Sequence, residues 1–267
     1  MTATSAATLD TPLAPVESKG WTGGIGNLVR KELRQWWGTR LWWIQILVWV
    51  VLLNGVSMMI MLDNELGPAA LVEEAVKTFM QVGAAAIAIG VVLTVQGAIV
   101  GEKELGTAAW VISKPVSRAS FVLAKLIGHS VGFLITALLV PAVVFIIQAE
   151  VLLPLPLSYW SFLSGLGVLA LAVVFYLVLT LALGTLFEGR GPVAGIGIGL
   201  ILMGQFFKGM LPETLVLITP WLLGDVAASV AMDSPVEFNR LLPIMATAVA
   251  TVLLTFVGLW RFKREEF

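Results

Sequence analysis

The sequence predicts an all-α integral membrane protein with six transmembrane helices, an amphipathic helix before them and a helical hairpin between the fifth and the sixth. Hydrophobic residues make up 58% of the 267 residues and charged residues only 12%, whereas about 25% of a soluble domain is charged. The apolar runs are continuous over about twenty residues, which suits membrane-spanning helices and not the alternating strands of a barrel. A chain of this length holds about six such runs in one membrane domain.

The N-terminal region divides into a tail and a helix. Residues 1–20 lack the basic start and apolar core of a signal peptide, and their composition predicts a disordered cytoplasmic tail before a single transmembrane domain at 21–267. From Ile25 onward apolar residues recur three and four positions apart, while Arg30, Lys31 and Glu32 belong to the polar face. This pattern predicts an amphipathic helix on the membrane surface, with a basic flank of the first span as the alternative.

Six apolar runs are long enough to span a bilayer. The predicted spans cover residues 41–62, 78–100, 121–149, 162–187, 192–211 and 241–262. Pro141 lies inside the third span, and we expect a kink or irregular geometry there because proline lacks an amide donor. With the N-terminus inside, only Lys77, Lys208 and Arg240 of the 16 Lys and Arg residues lie outside, so both termini are predicted to be cytoplasmic.

The connection between the fifth and sixth spans is the longest external segment. Its apolar stretch LVLITPWLLGDVAASVAM is too short to cross a bilayer and is interrupted at Thr219 and Pro220. A re-entrant or surface-lying helical hairpin is therefore favoured over a seventh span, which would place the basic C-terminus outside.

Small residues recur at four-residue spacing in the fifth span, at Gly191, Gly195 and Gly199. They permit close helix approach, either within the chain or at a subunit interface.

Residue types exclude several kinds of chemistry. The chain has no cysteine and one histidine, His129, which excludes disulfides, thiolate sites and a multi-histidine metal site within it. HExxH, GxSxG and the phosphate-binding loop are missing, so we predict no catalytic residue and no cofactor site here. No carboxylate falls in the middle of a predicted span, which argues against ion-coupled transport. A nucleotide that powers this protein must bind a partner chain.

The polar segment at residues 100–128 lies between two long apolar runs. An acidic cluster at 102–104 is followed by a predicted helix over 107–113 that turns Ala108, Val111 and Ile112 toward the membrane or neighbouring helices. The Lys-Pro dipeptide at 114–115 ends it, and Ser117 is placed to cap the third span. Since a turn needs only about four residues, this longer segment predicts a short helix across the end of a helical hairpin.

The run GEKELGTAAWVISKPVSRASFVLAKLIGH resembles the signature region of the ABC transporter type-2 membrane permeases. That pattern is an acidic pair, Gly-Thr, an apolar helix, Pro-hydrophobic-Ser-Arg and a Lys-hydrophobic-hydrophobic-Gly start to the next span. The Arg-Lys-Glu-Leu segment at 30–33 is similar to the family's elbow helix, and the hairpin to its external re-entrant helices. The sequence Lys-Leu-Ile-Gly-His is similar to the corresponding motif of permeases for copper-enzyme maturation in nitrous oxide reduction and of antibiotic-resistance permeases.

The resemblance implies a dimeric exporter-type permease in a bacterial or archaeal inner membrane. Two permease subunits, identical or related, would bind two copies of a separate ATP-binding subunit, which would carry ATP and Mg; no nucleic acid partner is implied. The docking residues that it implies are Glu102, Glu104, Thr107, Ser117 and Arg118, with Glu188 and Arg190 secondary.

The family's cargo path follows the first, second and fifth spans. In this chain that path would include Trp49, Met58, Met59, Met61, Phe206 and Phe207. An apolar lining favours a hydrophobic or amphipathic cargo, which the sequence does not name. The alternatives are a membrane scaffold or assembly factor without transport, and an ion-coupled secondary transporter.

Overall fold

The computed structural model describes residues 20, 22–63, 65–113, 116–153, 155–235 and 238–265. Within these ranges every regular element is a helix, and no β-strand occurs. Apart from Gly20, the predicted tail lies outside the described residues, as does the Lys-Pro dipeptide at 114–115.

Ten helices carry the fold of the described residues. In chain order they are α1 (Ile25–Trp37), α2 (Leu41–Met61), α3 (Pro68–Glu104), α4 (Thr107–Ile112), α5 (Arg118–Leu152), α6 (Tyr159–Leu186), α7 (Arg190–Phe207), α8 (Glu213–Leu217), α9 (Leu223–Ala231) and α10 (Leu241–Lys263).

Six of these helices, α2, α3, α5, α6, α7 and α10, are long and apolar enough to cross a membrane. The six predicted spans are therefore confirmed. Helix α3 is longer than predicted, with 37 residues, and at 1.5 Å per residue it reaches about 55 Å. Because a bilayer core is about 30 Å thick, polar turns of α3 must project beyond it. Its C-terminal end begins the segment of residues 102–118, which we call the signature segment.

Helix α6 is the central element of the bundle. It packs against α3, α5, α7, α9 and α10, and it is the most buried of the six spans. An aromatic cluster closes the core where three helices meet, with Phe145 of α5 lying 4.6 Å from Phe79 of α3 and 5.2 Å from Phe162 of α6, centroid to centroid. Such ring pairs add to the stabilisation that close packing supplies in lipid.

The irregular geometry predicted at Pro141 takes the form of a π-helical segment. Residues Leu134–Leu139 adopt wider helical turns just before the proline, and the helix continues to Leu152. The wider turns accommodate a ring that lacks an amide hydrogen and crowds the preceding carbonyl. A second π-helical segment, Val50–Asn54 in α2, has no proline beside it and was not predicted.

The segment between α7 and α10 forms a broken helical hairpin. Helix α8 ends before Thr219, Pro220 opens a single 3₁₀ turn, and α9 follows. The predicted interruption at Thr219 and Pro220 is thus confirmed. The location of this hairpin in the membrane, like that of α1 on its surface, stays a prediction.

Contacts made by Trp221 and Asp225 hold the hairpin to the spans. The Trp221 ring fills the space where a Cβ atom at Gly204 would lie, 2.1 Å from its Cδ1, and Trp221 Nε1 donates to the Leu200 carbonyl at 3.0 Å. Asp225 of α9 accepts hydrogen bonds from Gln81 Nε2 and from Lys208 Nζ, both at 2.6 Å. The carboxylate therefore joins α9 to both α3 and the end of α7, a contact that the sequence did not reveal.

The Gly204 contact yields a stability prediction. We expect Gly204→Ala to lower the apparent melting temperature of the purified protein, because the new methyl group must displace the Trp221 ring. Gly167→Ala is the matched control, since that helical glycine has open space around it and alanine favours helix. Thermal unfolding in detergent, followed by tryptophan fluorescence, measures both. Equal melting temperatures for the two variants would contradict the packing described.

Candidate functional site

The signature segment begins its contacts where α1 and α5 start. Ser117 caps α5 as predicted, its Oγ accepting a hydrogen bond from the Ser120 amide at 2.9 Å. The Ser117 amide in turn donates to the Gly23 carbonyl at 3.0 Å. Gly24 has a φ of 77° and lies so close to Val116 that a Cβ atom there would approach Val116 Cγ1 to 2.5 Å. These contacts tie the entry of α1 to the entry of α5.

Two glycines of α5 form a groove that receives α1. A Cβ atom at Gly128 would lie 2.6 Å from Glu32 Cβ, and one at Gly132 would lie 2.3 Å from the Trp36 ring. Leu28, Glu32 and Trp36, spaced four residues apart, form the buried face of α1. The glycine of the Lys-hydrophobic-hydrophobic-Gly motif therefore has a packing role, because a side chain there would push α1 away.

The prediction that Glu32 belongs to the polar face of α1 was wrong. Its side chain is only 8% exposed and points toward Lys125, whose side chain is 3% exposed. A carboxylate can occupy the buried face because a lysine on the facing helix neutralises it. The sequence did hold a signal: Glu32 falls four residues from both Leu28 and Trp36, so it shares their side of the helix.

A cluster of four charges connects α1, α3 and α5, and we call it the charge cluster: Lys31, Glu32, Glu102 and Lys125. Lys125 Nζ lies 2.7 Å from Glu102 Oε1 and 3.2 Å from Glu32 Oε1. Lys31 Nζ lies 3.1 Å from Glu102 Oε1 and 3.7 Å from Glu32 Oε1. Two carboxylates face two ammonium groups, so the cluster is neutral as a whole.

Because the charge cluster is largely buried, it determines the position of the end of α3. Glu102 is 18% exposed, and Lys125 also lies over the Phe121 ring at 5.0 Å from its centroid. Removal of one partner from a buried ion pair costs about 3–5 kcal/mol, because the other charge is left without compensation. The end of α3 is therefore held in one position against α1 and α5, whereas an exposed pair would restrain it weakly.

Helix α4 extends the charge cluster to the surface. Thr107 Oγ1 donates to the Glu102 carbonyl at 3.2 Å, and Ala108 and Val111 are buried, as the sequence predicted for these two residues. In contrast, Leu105 and Trp110 are 76% and 62% exposed. A cavity of about 540 Å³ lies between α1 and α4, with Lys31 and Glu102 on its wall. This end of the bundle thus presents an apolar and charged surface on a fixed base.

Two of the other predicted docking residues, Glu104 and Arg190, pair with each other. Arg190 pairs with Glu104 at 3.2 Å, and both side chains are about half exposed. The Arg190 guanidinium rests in a groove made by Gly97 and Gly101 of α3. Glu188 is exposed beside it. The structure therefore brings the segment before α7 against the end of α3, where sequence reasoning had treated the two loops separately.

Arg118 connects the signature segment to the end of α10. It donates to the carbonyls of Lys263, at 2.9 Å, and of Glu265. Glu265 also pairs with Lys103 at 2.9 Å, and Lys103 Nζ donates to the Thr185 carbonyl at 3.2 Å. The end of α10 is thereby joined to the signature segment, and α1 and the end of α10 lie at the same end of the bundle. The ion pair between Lys103 and Glu265 was not predicted from the sequence.

The residues predicted for a transport path lie in different environments. Trp49 is buried, with its ring over Gly90, and Nε1 donates to Gln45 Oε1 at 2.6 Å. It lines a groove of about 440 Å³ between α2 and α3. Met61 is buried as well. The remaining four residues are exposed on the outer surface of the bundle: Met58, Met59, Phe206 and Phe207.

Among the described residues no group of three or more Asp, Glu or His side chains is arranged to hold a metal ion. The charge cluster and the Glu104–Arg190 pair are bound within the chain, so the arrangement suits binding and positioning.

Six membrane-length helices and a charged end with a buried anchor define a multi-pass membrane protein. Comparison with known proteins gives the class: the model of the ABC-2 family transporter proteins matches residues 26–267, and the chain belongs to that family. The protein is therefore a membrane component of an ABC transporter, and the family implies an ATP-binding partner subunit. Permease domains of this family are transmembrane subunits and generally not catalytic.

One curated relative is the "Uncharacterized transmembrane protein YxlG" of Bacillus subtilis (strain 168). It is 26% identical over 198 residues, which cover 73% of this chain and 74% of the relative.

The charge cluster makes a direct prediction about stability. We expect Lys125→Met to lower the free energy of unfolding by about 3–5 kcal/mol, because Glu32 and Glu102 keep only Lys31 as a partner. Adding Glu32→Gln to that variant should restore part of the loss. Lys263→Met is the control, since its exposed side chain makes no ion pair in the part of the chain that the structure describes. Denaturant unfolding of the purified protein measures all three; a loss no larger than that of the control would contradict the account.

Proposed function

We propose that the protein is the permease subunit of an ATP-driven exporter and that its signature segment, residues 102–118, receives the ATP-binding subunit. The observation that carries this proposal is the charge cluster, which fixes the end of α3 against α1 and α5. A segment that transmits movement must be rigidly joined to the spans it moves. Because Glu102 lies in the last turn of α3 and its carbonyl accepts a hydrogen bond from Thr107 of α4, a force on α4 reaches three helices at once.

The proposed contact surface has an apolar centre and a charged margin. Leu105 and Trp110 offer exposed apolar area on α4 and just before it, and buried aromatic residues commonly dominate binding energy in interfaces. Glu104, Arg190 and Glu188 supply exposed charges at the same end of the bundle. Such charges contribute little affinity individually but select orientation and speed association. Ser117 and Arg118 serve this surface as anchors, since their hydrogen bonds are made within the chain.

In this proposal the surface faces the cytoplasm, where ATP is available, and both termini share that side. Three of the 16 Lys and Arg residues lie toward the opposite face, which agrees with the excess of basic residues on cytoplasmic loops. The membrane would be the inner membrane of a bacterial or archaeal cell.

The groove between α2 and α3 supports a hydrophobic or amphipathic cargo. Its walls are aliphatic side chains from both helices, with Trp49 at the base and only Gln45 and Thr94 as polar groups. No charged side chain lines it. An apolar wall with a few hydrogen-bonding groups suits a ligand that is itself largely apolar.

A second permease subunit would complete the transporter. On α7 the exposed faces of Gly191, Gly195 and Gly199 have open space, whereas Gly197 packs closely against Val92 of α3. One face of α7 is thus used within the chain, and the other permits close approach of a second helix in lipid.

Variants of the Glu104–Arg190 pair can distinguish an effect on docking from an effect on the stability of the chain. Glu104→Lys removes the pair and reverses a charge of the proposed surface, so we expect less copurification with the ATP-binding subunit. The double variant Glu104→Arg/Arg190→Glu restores an internal pair but exchanges the two charges that the partner meets. We expect it to remain as thermally stable as the parent and still to lose binding, roughly tenfold in affinity for about 1.4 kcal/mol of mismatched contacts.

The control for this experiment is Glu65→Lys, because Glu65 lies in the exposed α2–α3 connection at the opposite end of α3. Copurification and ATP hydrolysis by the reconstituted complex are the measurements. Recovery of full binding by the double variant would show that the pair acts only within the chain. Normal assembly without substrate-stimulated hydrolysis in the parent complex would favour a membrane scaffold.

A further inference from the structure

A second face of α1 is occupied by none of the contacts described above. Its buried face meets α5, but Val29, Leu33 and Trp37 are only partly buried and line a shallow groove of about 790 Å³. Arg30 and Arg34 form the polar margin of that groove, and both are exposed. From these residues we infer that α1 carries a binding site for an anionic phospholipid of the surrounding bilayer.

The height of α1 in the membrane follows from its connection to α2. Only three residues separate Trp37 from Leu41, where α2 begins. Leu41, Trp42 and Trp43 are exposed at the start of that span, and the two tryptophans suit contact with the headgroup region. The Trp37 and Trp42 rings lie 6.0 Å apart, and tryptophan prefers the headgroup level. The groove consequently faces the boundary between headgroups and acyl chains.

Charge selects the anionic class of lipid. Arg30 and Arg34 lie one helical turn apart, where like charges destabilise a helix. Neither guanidinium has an ion-pair partner in the described ranges, and no carboxylate lines the groove. The neighbouring acid, Glu32, is directed to the opposite side and is neutralised by Lys125. A phosphate group between the arginines would neutralise both, and arginine binds phosphate oxygens with paired donors.

The apolar wall identifies the source of that phosphate. A free phosphate ion would leave the exposed parts of Val29, Leu33 and Trp37 uncovered, whereas a phospholipid places its headgroup at the arginines and its chain along the apolar side chains. The site therefore suits a lipid of the membrane in which α2 is embedded. It lies outside the charge cluster and requires no ATP-binding partner.

Retained lipid provides the test. The full chain is reconstituted in bilayers of equimolar phosphatidylglycerol and phosphatidylcholine with identical acyl chains, extracted in mild detergent, and its retained lipids are quantified by mass spectrometry. We expect enrichment of phosphatidylglycerol, with about a fivefold contribution from each arginine. Arg30→Gln/Arg34→Gln should abolish the enrichment, and 0.5 M NaCl should reduce it.

Lys263→Gln is the matched control, because it removes an exposed positive charge from the same end of the bundle without touching α1. It should keep the parent enrichment. Equal retention of both lipids by the parent, or unchanged enrichment in the double arginine variant, would overturn the site. So would loss of the enrichment in Lys263→Gln, which indicates general charge attraction, or displacement of the lipid by soluble glycerol phosphate, which indicates a free-phosphate site. Unchanged melting temperature of the arginine variant confirms that it is folded.

Discussion

The position of the signature segment depends on one buried ammonium group. Lys125 of α5 neutralises a carboxylate from α1 and another from the end of α3, and without it both would keep only the half-exposed Lys31 as a partner. The contact is possible only because Gly128 and Gly132 let α1 approach α5 closely enough for Glu32 to reach the lysine. Charge and close packing therefore require each other. Together they convert the end of a long apolar helix into a defined surface beyond the bilayer.

Around this anchor the charged end is continuous. The Glu104–Arg190 pair brings the start of α7 to α3, while Arg118, Lys103 and Glu265 attach the end of α10. At the opposite end Asp225 links the hairpin to α3 and α7. Helix α3 takes part at both ends, so the spans next to the groove are joined to the proposed docking surface and to the hairpin. The proposed function requires such a connection, since movements of the ATP-binding partner would have to reach the proposed transport path.

The sequence predicted what depends on residue type and spacing alone. Runs of about twenty apolar residues define the spans, the Ser117 cap follows from its place before α5, and the break at Thr219 and Pro220 from proline chemistry. Pairings between distant segments were not predicted. Glu32 was assigned to the polar face of α1. Its burial depends on Lys125, which lies 93 positions away, so the residues near Glu32 in the sequence do not indicate it. Asp225, Lys208 and Gln81 likewise give no local sign that they meet.

Site-specific crosslinking tests the central claim most directly. In one variant a photoreactive amino acid replaces Leu105, which is 76% exposed in the signature segment. In a second variant it replaces Met210, which follows α7 at the end of that helix opposite Arg190. Irradiation of the native complex should join the chain to its ATP-binding subunit from position 105 and not from position 210. Crosslinking from position 210, or none from position 105 in an assembled complex, would contradict the account.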